Sequence, residues 1–187
     1  MNPHRMTGLV SVLLLWAPLS FAATPAPDSP AAKREAEKLA QLPPETPRGH
    51  IDHSGRKQKG RASFYAKQFT NRKMADGQRF NPRANVAASK TLPLGTTAKV
   101  TNLNNGKSAL VKVQDRGPYV GGRVVDLAPK VAEELEMTKP GIAPVVVAPV
   151  AVPLANGDVK LGAGAAEATD QEVQNAVQET AQATAGR

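Results

Sequence analysis

The chain has 187 residues, no cysteine and a formal net charge of +8. This length fits one domain with extensions or two small domains. The lack of cysteine excludes disulfides, thiol nucleophiles and thiolate metal ligands, so the fold must depend on its apolar core. Fourteen Lys or Arg and six Asp or Glu lie within residues 60–153, a net +8. This charge favours polyanionic partners, and a basic surface that serves only solubility fits it equally well.

Residues 1–22 have the pattern of a secretory signal peptide. Met1 to Arg5 is short and basic, Leu9 to Ala17 is mostly apolar, and Ser20-Phe21-Ala22 supplies small residues at a cleavage position. The apolar run is too short for a permanent anchor, and without cysteine the chain cannot be a lipoprotein. We therefore expect a periplasmic or cell-envelope protein without a stable membrane anchor, which meets wall polymers rather than nucleic acid.

Two segments flank the central part of the chain. Residues 23–59 are rich in Pro, Ala and charged residues, and residues 154–187 are rich in Ala, Gln, Glu and Thr. Neither has enough large apolar side chains to build a core of its own. The sequence therefore predicts a disordered linker before the central segment and a disordered tail after it.

The central segment, residues 60–153, begins its regular pattern with a hairpin. Thr97 to Leu103 and Ala109 to Val113 flank the dipeptide Asn105-Gly106. Because Asn-Gly best tolerates the positive φ of a type I′ turn, these runs predict two antiparallel strands joined by such a turn.

Two further strands and one helix are predicted after the hairpin. Arg123 to Leu127 and Ala143 to Val152 are β-branched runs, and the prolines of the second run are typical of an edge strand. Pro129 to Met137 predicts a short helix with proline in its first turn. Several short strands with one helix in fewer than about a hundred residues indicate a small barrel.

Carboxylates are the main candidates for chemistry, because all three histidines fall in the expected signal peptide or linker. Histidine zinc sites and Ser/His/Asp triads are thereby excluded from the central segment, and we expect neither metal nor cofactor. Asp76 precedes Gly77 and is typical of a turn. Asp126 ends a strand just before the predicted helix, where a capping role is favoured over a catalytic one.

Asp115 has a different context. It follows a hairpin strand and opens the run Asp115-Arg116-Gly117-Pro118-Tyr119. Glycine and proline predict a sharp bend that holds the preceding side chains at a strand end. From these residues alone, a buried structural Asp–Arg pair and a catalytic acid are equally consistent with the pattern.

Six motifs follow one another in the central segment: GRASFYA at 60–66, MADGQRF at 74–80, VAASKTLPLGT at 86–96, VTNLNNGKSALVKVQDRGPY at 100–119, GRVVDLA at 122–128 and GIAPVVV at 141–147. Their order and content closely resemble the domain of the rare lipoprotein A (RlpA) family. The resemblance covers about half of the chain. It implies a mostly β fold, a small six-stranded double-psi β-barrel with one or two short helices.

The resemblance also implies an activity, endolytic lytic transglycosylation of peptidoglycan. An acid protonates the glycosidic oxygen, and the C6 hydroxyl of the sugar closes onto C1 to leave a 1,6-anhydro-N-acetylmuramic acid end. Because the nucleophile belongs to the substrate, one carboxylate can serve first as acid and then as base. The residue that matches the aspartate of the family is Asp115.

Two positions depart from the family pattern. Gln78 stands where the family has glutamate, and Ser89 stands where it has histidine, so neither side chain titrates near neutral pH. We expect both to bind the sugar together with Tyr65, Arg116 and Tyr119. Supporting roles are expected for Asp126, Gly117 and Pro118. The alternative is a catalytically impaired module that binds glycan or serves as an envelope scaffold.

Overall fold

The computed structural model describes residues 50–185, so the expected signal peptide and most of the expected linker lie outside the described residues. Seven strands form the architecture: β1 Gln58–Phe64, β2 Val86–Ala88, β3 Thr97–Asn102, β4 Ser108–Asp115, β5 Arg123–Leu127, β6 Ala143–Pro153 and β7 Val159–Leu161. Two α-helices accompany them, α1 Pro129–Glu134 and α2 Asp170–Ala185. Short 3-10 turns occupy Lys67–Phe69 and Ala165–Glu167.

Six of the strands close into a barrel. Their order is β1-β5-β2-β4-β3-β6, and antiparallel pairing of β1 with β6 completes the ring. The β1–β5 and β2–β4 pairs are parallel, whereas the other pairs of the ring are antiparallel. Strand β7 pairs with the last three residues of β6. The predicted six-stranded barrel is therefore confirmed.

The barrel interior is built from small and β-branched side chains at alternate strand positions. On β4, Ala109, Val111 and Val113 are buried in the main core. After Val113 the register between β4 and β2 shifts by one residue, so that Ala88 is paired with Asp115 and Gln114 is the extra residue. This shift places Asp115 beside Ala88 at the end of β4.

The hairpin and the short helix are confirmed, but some details of the prediction differ from the structure. Strands β3 and β4 pair antiparallel, and the helix begins at Pro129 as expected but ends at Glu134, three residues before the predicted Met137. The connection is a five-residue loop, so the predicted type I′ turn is wrong. Such a turn requires a positive φ at both Asn105 and Gly106, and only Gly106 has one, at 73°. Strand β6 pairs with three strands and is not an edge; its Pro149 is accommodated where the register with β3 shifts.

The prediction of a disordered tail over 154–187 is wrong for its described residues. These include β7, the second 3-10 turn and the 16-residue α2. Helix α2 buries Ala176 and Thr180, and Val173 and Val177 pack beside Val150 and Ala151 of β6. Small side chains suffice because the helix rests on an existing barrel and needs no core of its own.

The last ten residues of the expected linker are also ordered. The amide of Asp52 donates to the Thr91 carbonyl oxygen, and His53 Nδ1 lies 2.9 Å from the Pro153 carbonyl oxygen. Strand β1 begins at Gln58, two residues before the predicted start of the barrel. Across residues 50–185, no helix has the length and apolar character needed to cross a membrane.

Candidate functional site

Four neighbouring strands bring the candidate residues into one row. Ser63 of β1 is paired with Asp126 of β5, Asp126 with Ala88 of β2, and Ala88 with Asp115 of β4. We call these four residues the carboxylate row. Its two aspartates are separated by two strand spacings, which corresponds to about 9.6 Å between their Cα atoms. The barrel therefore holds two carboxyl groups on either side of the small Ala88 side chain.

Asp115 accepts three hydrogen bonds that fix its carboxylate. The backbone amides of Ala75 and Arg116 donate to Oδ1 at 2.9 and 2.8 Å, and the Tyr65 hydroxyl donates to Oδ2 at 2.9 Å. Each carboxylate oxygen has about two lone-pair directions. Among these contacts, Oδ1 has both directions occupied, while Oδ2 keeps one for another partner.

Tyr65 is held by an aromatic cluster that follows β1. Its ring centroid lies 4.4 Å from that of Phe80 and 5.8 Å from that of Phe69. Burial, and after it the negative charge of Asp115, raises the pKa of the Tyr65 phenol well above its usual value. The phenol therefore keeps its proton and donates to Asp115 throughout the physiological pH range.

Asp126 is the second carboxyl of the row, and the helix-capping role predicted for it is wrong. The N-cap of α1 is Ala128, which makes no side-chain capping bond, and Asp126 instead accepts a hydrogen bond from the Ser63 hydroxyl. Burial raises the pKa of Asp126; the Ser63 bond and the Arg123 charge partly offset this, and the charge of Asp115 adds to it. The protonated form of Asp126 is thus more favoured than the protonated form of a solvated aspartate.

The bend after β4 forms one border of the row. Arg116 Nη1 donates to the carbonyl oxygens of Ser89 and Leu92 at 3.0 and 2.6 Å, which ties the bend to the loop after β2. Gly117 has a φ of 130°, which a side chain would strain, and it precedes Pro118. The expected supporting role of Gly117 is thus a backbone one.

Tyr119 lies beyond this bend and is 49% exposed. The Lys90 ammonium lies 5.8 Å from the centroid of its ring, within the range of a cation–π contact. The site therefore has an exposed aromatic ring and a cation at its rim.

The two positions that depart from the family pattern have different surroundings. Ser89 is buried, its Oγ accepts the Leu92 amide, and its own amide donates to the Asp115 carbonyl oxygen. Ser89 therefore shapes the loop rather than offering its hydroxyl to a ligand. Gln78 is exposed in the turn that contains Ala75, and it lines a separate cleft beside Gln114.

Three contributors to the site were not predicted from the sequence. These are the hydroxyl of Ser63, the amide of Ala75 and the ammonium of Lys90. Ser63 depends on the β1–β5 register, which the motif GRASFYA does not reveal. In the described part of the chain, no three His, Asp or Glu side chains are grouped as metal ligands would be.

Residues 57–147 match the family model described as "Lytic transglycolase". A probable endolytic peptidoglycan transglycosylase RlpA from Synechocystis sp. is 48% identical over 83 residues, which are 44% of this chain and 26% of that protein. The Nostoc sp. protein of the same description is 49% identical over 88 residues, 46% of this chain and 24% of that protein. The endolytic peptidoglycan transglycosylase RlpA of Campylobacter jejuni is 45% identical over 86 residues, 46% of this chain and 31% of its own.

The matched region coincides with the barrel. It runs from the residue before β1 to the middle of β6, and it contains all four residues of the carboxylate row. The chain spans about a quarter to a third of the length of these relatives. The double-psi β-barrel of residues 57–147 is therefore similar to the domain of the lytic transglycolase family and to a part of the RlpA proteins.

Proposed function

We propose that this protein cleaves peptidoglycan glycan strands as a lytic transglycosylase, with Asp115 as its general acid and base. The observation that carries the proposal is the Asp115 carboxylate. Two backbone amides fix its Oδ1, and a protonated phenol orients Oδ2 while leaving one lone-pair direction open. Oδ2 is therefore the oxygen that exchanges a proton with the substrate.

The reaction needs only one group that transfers protons. Asp115, protonated on Oδ2, gives its proton to the glycosidic oxygen between N-acetylmuramic acid and N-acetylglucosamine as the bond from that oxygen to C1 breaks. The C6 hydroxyl oxygen of the muramic acid bonds to C1, and its proton passes to the Asp115 carboxylate. This restores the acid and consumes no water.

The surroundings of the row support a wall polymer as the substrate. Lys90, Arg116 and Arg123 all lie beside the carboxylate row. Together with the +8 charge of the chain, they favour a polyanion such as glycan that bears lactyl or stem-peptide carboxylates. Tyr119 presents an amphipathic ring on which a sugar can rest. Envelope location through the residue 1–22 signal peptide belongs to the same proposal.

Ser89 supports a second candidate function, glycan binding without turnover. Its buried hydroxyl is bound to the Leu92 amide and cannot titrate near neutral pH. A site that requires a titrating group at this position would bind glycan and release nothing. Asp126 supports a different chemistry, since two carboxyl groups would also serve a hydrolase that activates water.

Digestion of purified sacculi separates these functions. Mass spectrometry of the soluble fragments is expected to show 1,6-anhydro ends for the wild-type protein. Asp115→Asn is expected to abolish them. Asp158→Asn, in the exposed turn before β7, is the matched control and leaves them unchanged. Reducing ends would indicate a hydrolase, and binding to sacculi without release would indicate a binding module.

A further inference from the structure

Helix α2 packs on the outside of the barrel, next to β3, β4 and β6. The hydroxyls of Thr97 and Thr180 are 3.2 Å apart and buried, and Lys112 Nζ donates to the Glu179 carbonyl oxygen at 3.2 Å. A Cβ built on Gly95 would lie 3.2 Å from Ala183 Cβ, so the last turns of the helix approach the barrel backbone closely. The helix is thus fixed on β3 and β6, and the Lys112 side chain links it to β4, the strand that carries Asp115.

The last turns of α2 form one wall of a cleft of about 280 Å³. We call it the α2 cleft. Its polar lining comes from Asp76, Gln78, Lys112 and Gln114 of the barrel and from Gln182 of the helix. The matched family region ends at residue 147, so Gln182 lies outside it. This wall is therefore a feature of this chain that the family match does not contain.

The α2 cleft begins next to the carboxylate row. Gln114 precedes Asp115 on β4, and its Nε2 donates to Asp76 Oδ2 at 2.8 Å. The turn that contains Asp76 also supplies the Ala75 amide to Asp115 Oδ1 at 2.9 Å. One turn therefore has the candidate catalytic carboxylate on one side and the cleft on the other. A polymer that crosses this turn meets both.

The chemistry of the cleft suits a neutral polar ligand. Asp76 accepts bonds from Gln114 Nε2 and from the Gln78 amide, and Lys112 is bound to the helix carbonyl, so the two opposite charges are both engaged. The remaining polar side chains are amides, which donate and accept hydrogen bonds without charge. This differs from the carboxylate row, which has Lys90, Arg116 and Arg123 around it.

We propose that the α2 cleft is an additional subsite, which binds an N-acetylhexosamine unit of the glycan strand beyond the unit held at Asp115. Gln182 donates to or accepts from the hydroxyl or acetamido groups of that sugar. The inference rests on the proposed function, because it takes the glycan at Asp115 as given. In this proposal helix α2, which belongs to the C-terminal segment predicted to be disordered, takes part in binding the substrate.

Calorimetric titration in an Asp115→Asn background tests the subsite without turnover. The probes are a peptide-free hexasaccharide of alternating N-acetylglucosamine and N-acetylmuramic acid, and the corresponding disaccharide. Loss of one neutral hydrogen bond is expected to weaken hexasaccharide binding by roughly three- to ten-fold in Gln182→Ala. Gln182→Trp fills the cleft and weakens binding further. Neither variant changes disaccharide binding, because the shorter probe stays at the carboxylate row.

Gln174→Ala is the matched control, because it removes the same side chain from an exposed position about two turns earlier on α2, which does not line the cleft. It is expected to bind the hexasaccharide as the background protein does. Equal hexasaccharide affinity in the Gln182 and Gln174 variants overturns the subsite and leaves the proposed function intact. A wild-type protein that neither binds nor cuts glycan contradicts the proposed function and removes the subsite with it. Equal melting temperatures confirm that the exposed substitutions leave the fold unchanged.

Discussion

Tyr65→Phe isolates the hydroxyl that orients Asp115. The substitution keeps the ring against Phe69 and Phe80 and removes only the donor to Asp115 Oδ2. A hydrogen bond to a charged group contributes about 1.5–3 kcal/mol. If the transition state depends on that bond in full, turnover falls by roughly ten- to a hundred-fold, because each 1.36 kcal/mol is a factor of ten. The unfolding free energy falls by about 1.5–3 kcal/mol, the contribution of that bond, since the ring contacts remain.

The assay is the initial rate of anhydro-product release from sacculi at saturating substrate. Because the pKa of Tyr65 is raised well above its usual value, the phenol donates at every pH from about 5 to 9, and the ratio of wild-type to variant rates should stay constant there. Thr91→Val is the control, because it removes a part-buried hydroxyl that binds Gln58 away from the row. Wild-type turnover in Tyr65→Phe, with Asp115→Asn inactive, would refute the positioning role.

Four further outcomes are expected from substitutions of buried and exposed polar groups. Thr97→Val and Thr180→Val should each cost about 1–3 kcal/mol in chemical denaturation by leaving a buried hydroxyl unpaired, and the double variant should lose less than their sum. Burial raises the pKa of Asp126 in the folded protein above its value in the unfolded chain. The wild-type protein therefore loses stability as the pH rises above about 3.8. Asp126→Asn should have a higher melting temperature than the wild type at pH 7, and this difference should disappear below pH 3.8. Gln78→Glu should change the rate of product release by less than about ten-fold, since Asp115 performs both proton transfers. Ser89→His should lower the unfolding free energy by about 1–3 kcal/mol, and with it the melting temperature, because the larger ring does not fit a site that is only 1% exposed.

The barrel could be predicted because its signals are local or carried by the resemblance. Gly106 marks the loop between β3 and β4, and Pro129 marks the first turn of α1. Asp115 could be singled out as a candidate because the Gly117-Pro118 bend follows it closely in the sequence. Each of these features depends on a few residues that are neighbours in the chain, so each can be predicted from the sequence.

The ordered tail was missed although its sequence carried a signal. Thr169 and Glu172 exchange hydrogen bonds at the start of α2 in the manner of a capping box, and Glu172 Oε2 accepts the Thr169 amide at 2.8 Å. The buried or partly buried face of α2 recurs at intervals of three and four residues, as an amphipathic helix requires. The side chains on this face are small, so the composition of the tail did not indicate that they pack against the barrel.

The role of Asp126 could not be read from the sequence for a different reason. Its position just before a helix favours capping, and only the register of β1, β5 and β2 shows that it faces Ser63 and Ala88 instead. Register is set by pairing between residues far apart in the chain. The position of the second carboxyl group therefore depends on the pairing of β5 with β1 and β2.

The most direct test of the account is a comparison of wild-type protein and Asp115→Asn on purified sacculi, with the released ends identified by mass spectrometry. We expect 1,6-anhydro ends from the wild type and none from the variant, with the unfolding free energies of the two proteins equal within about 1 kcal/mol. Anhydro ends that persist undiminished in Asp115→Asn would contradict it.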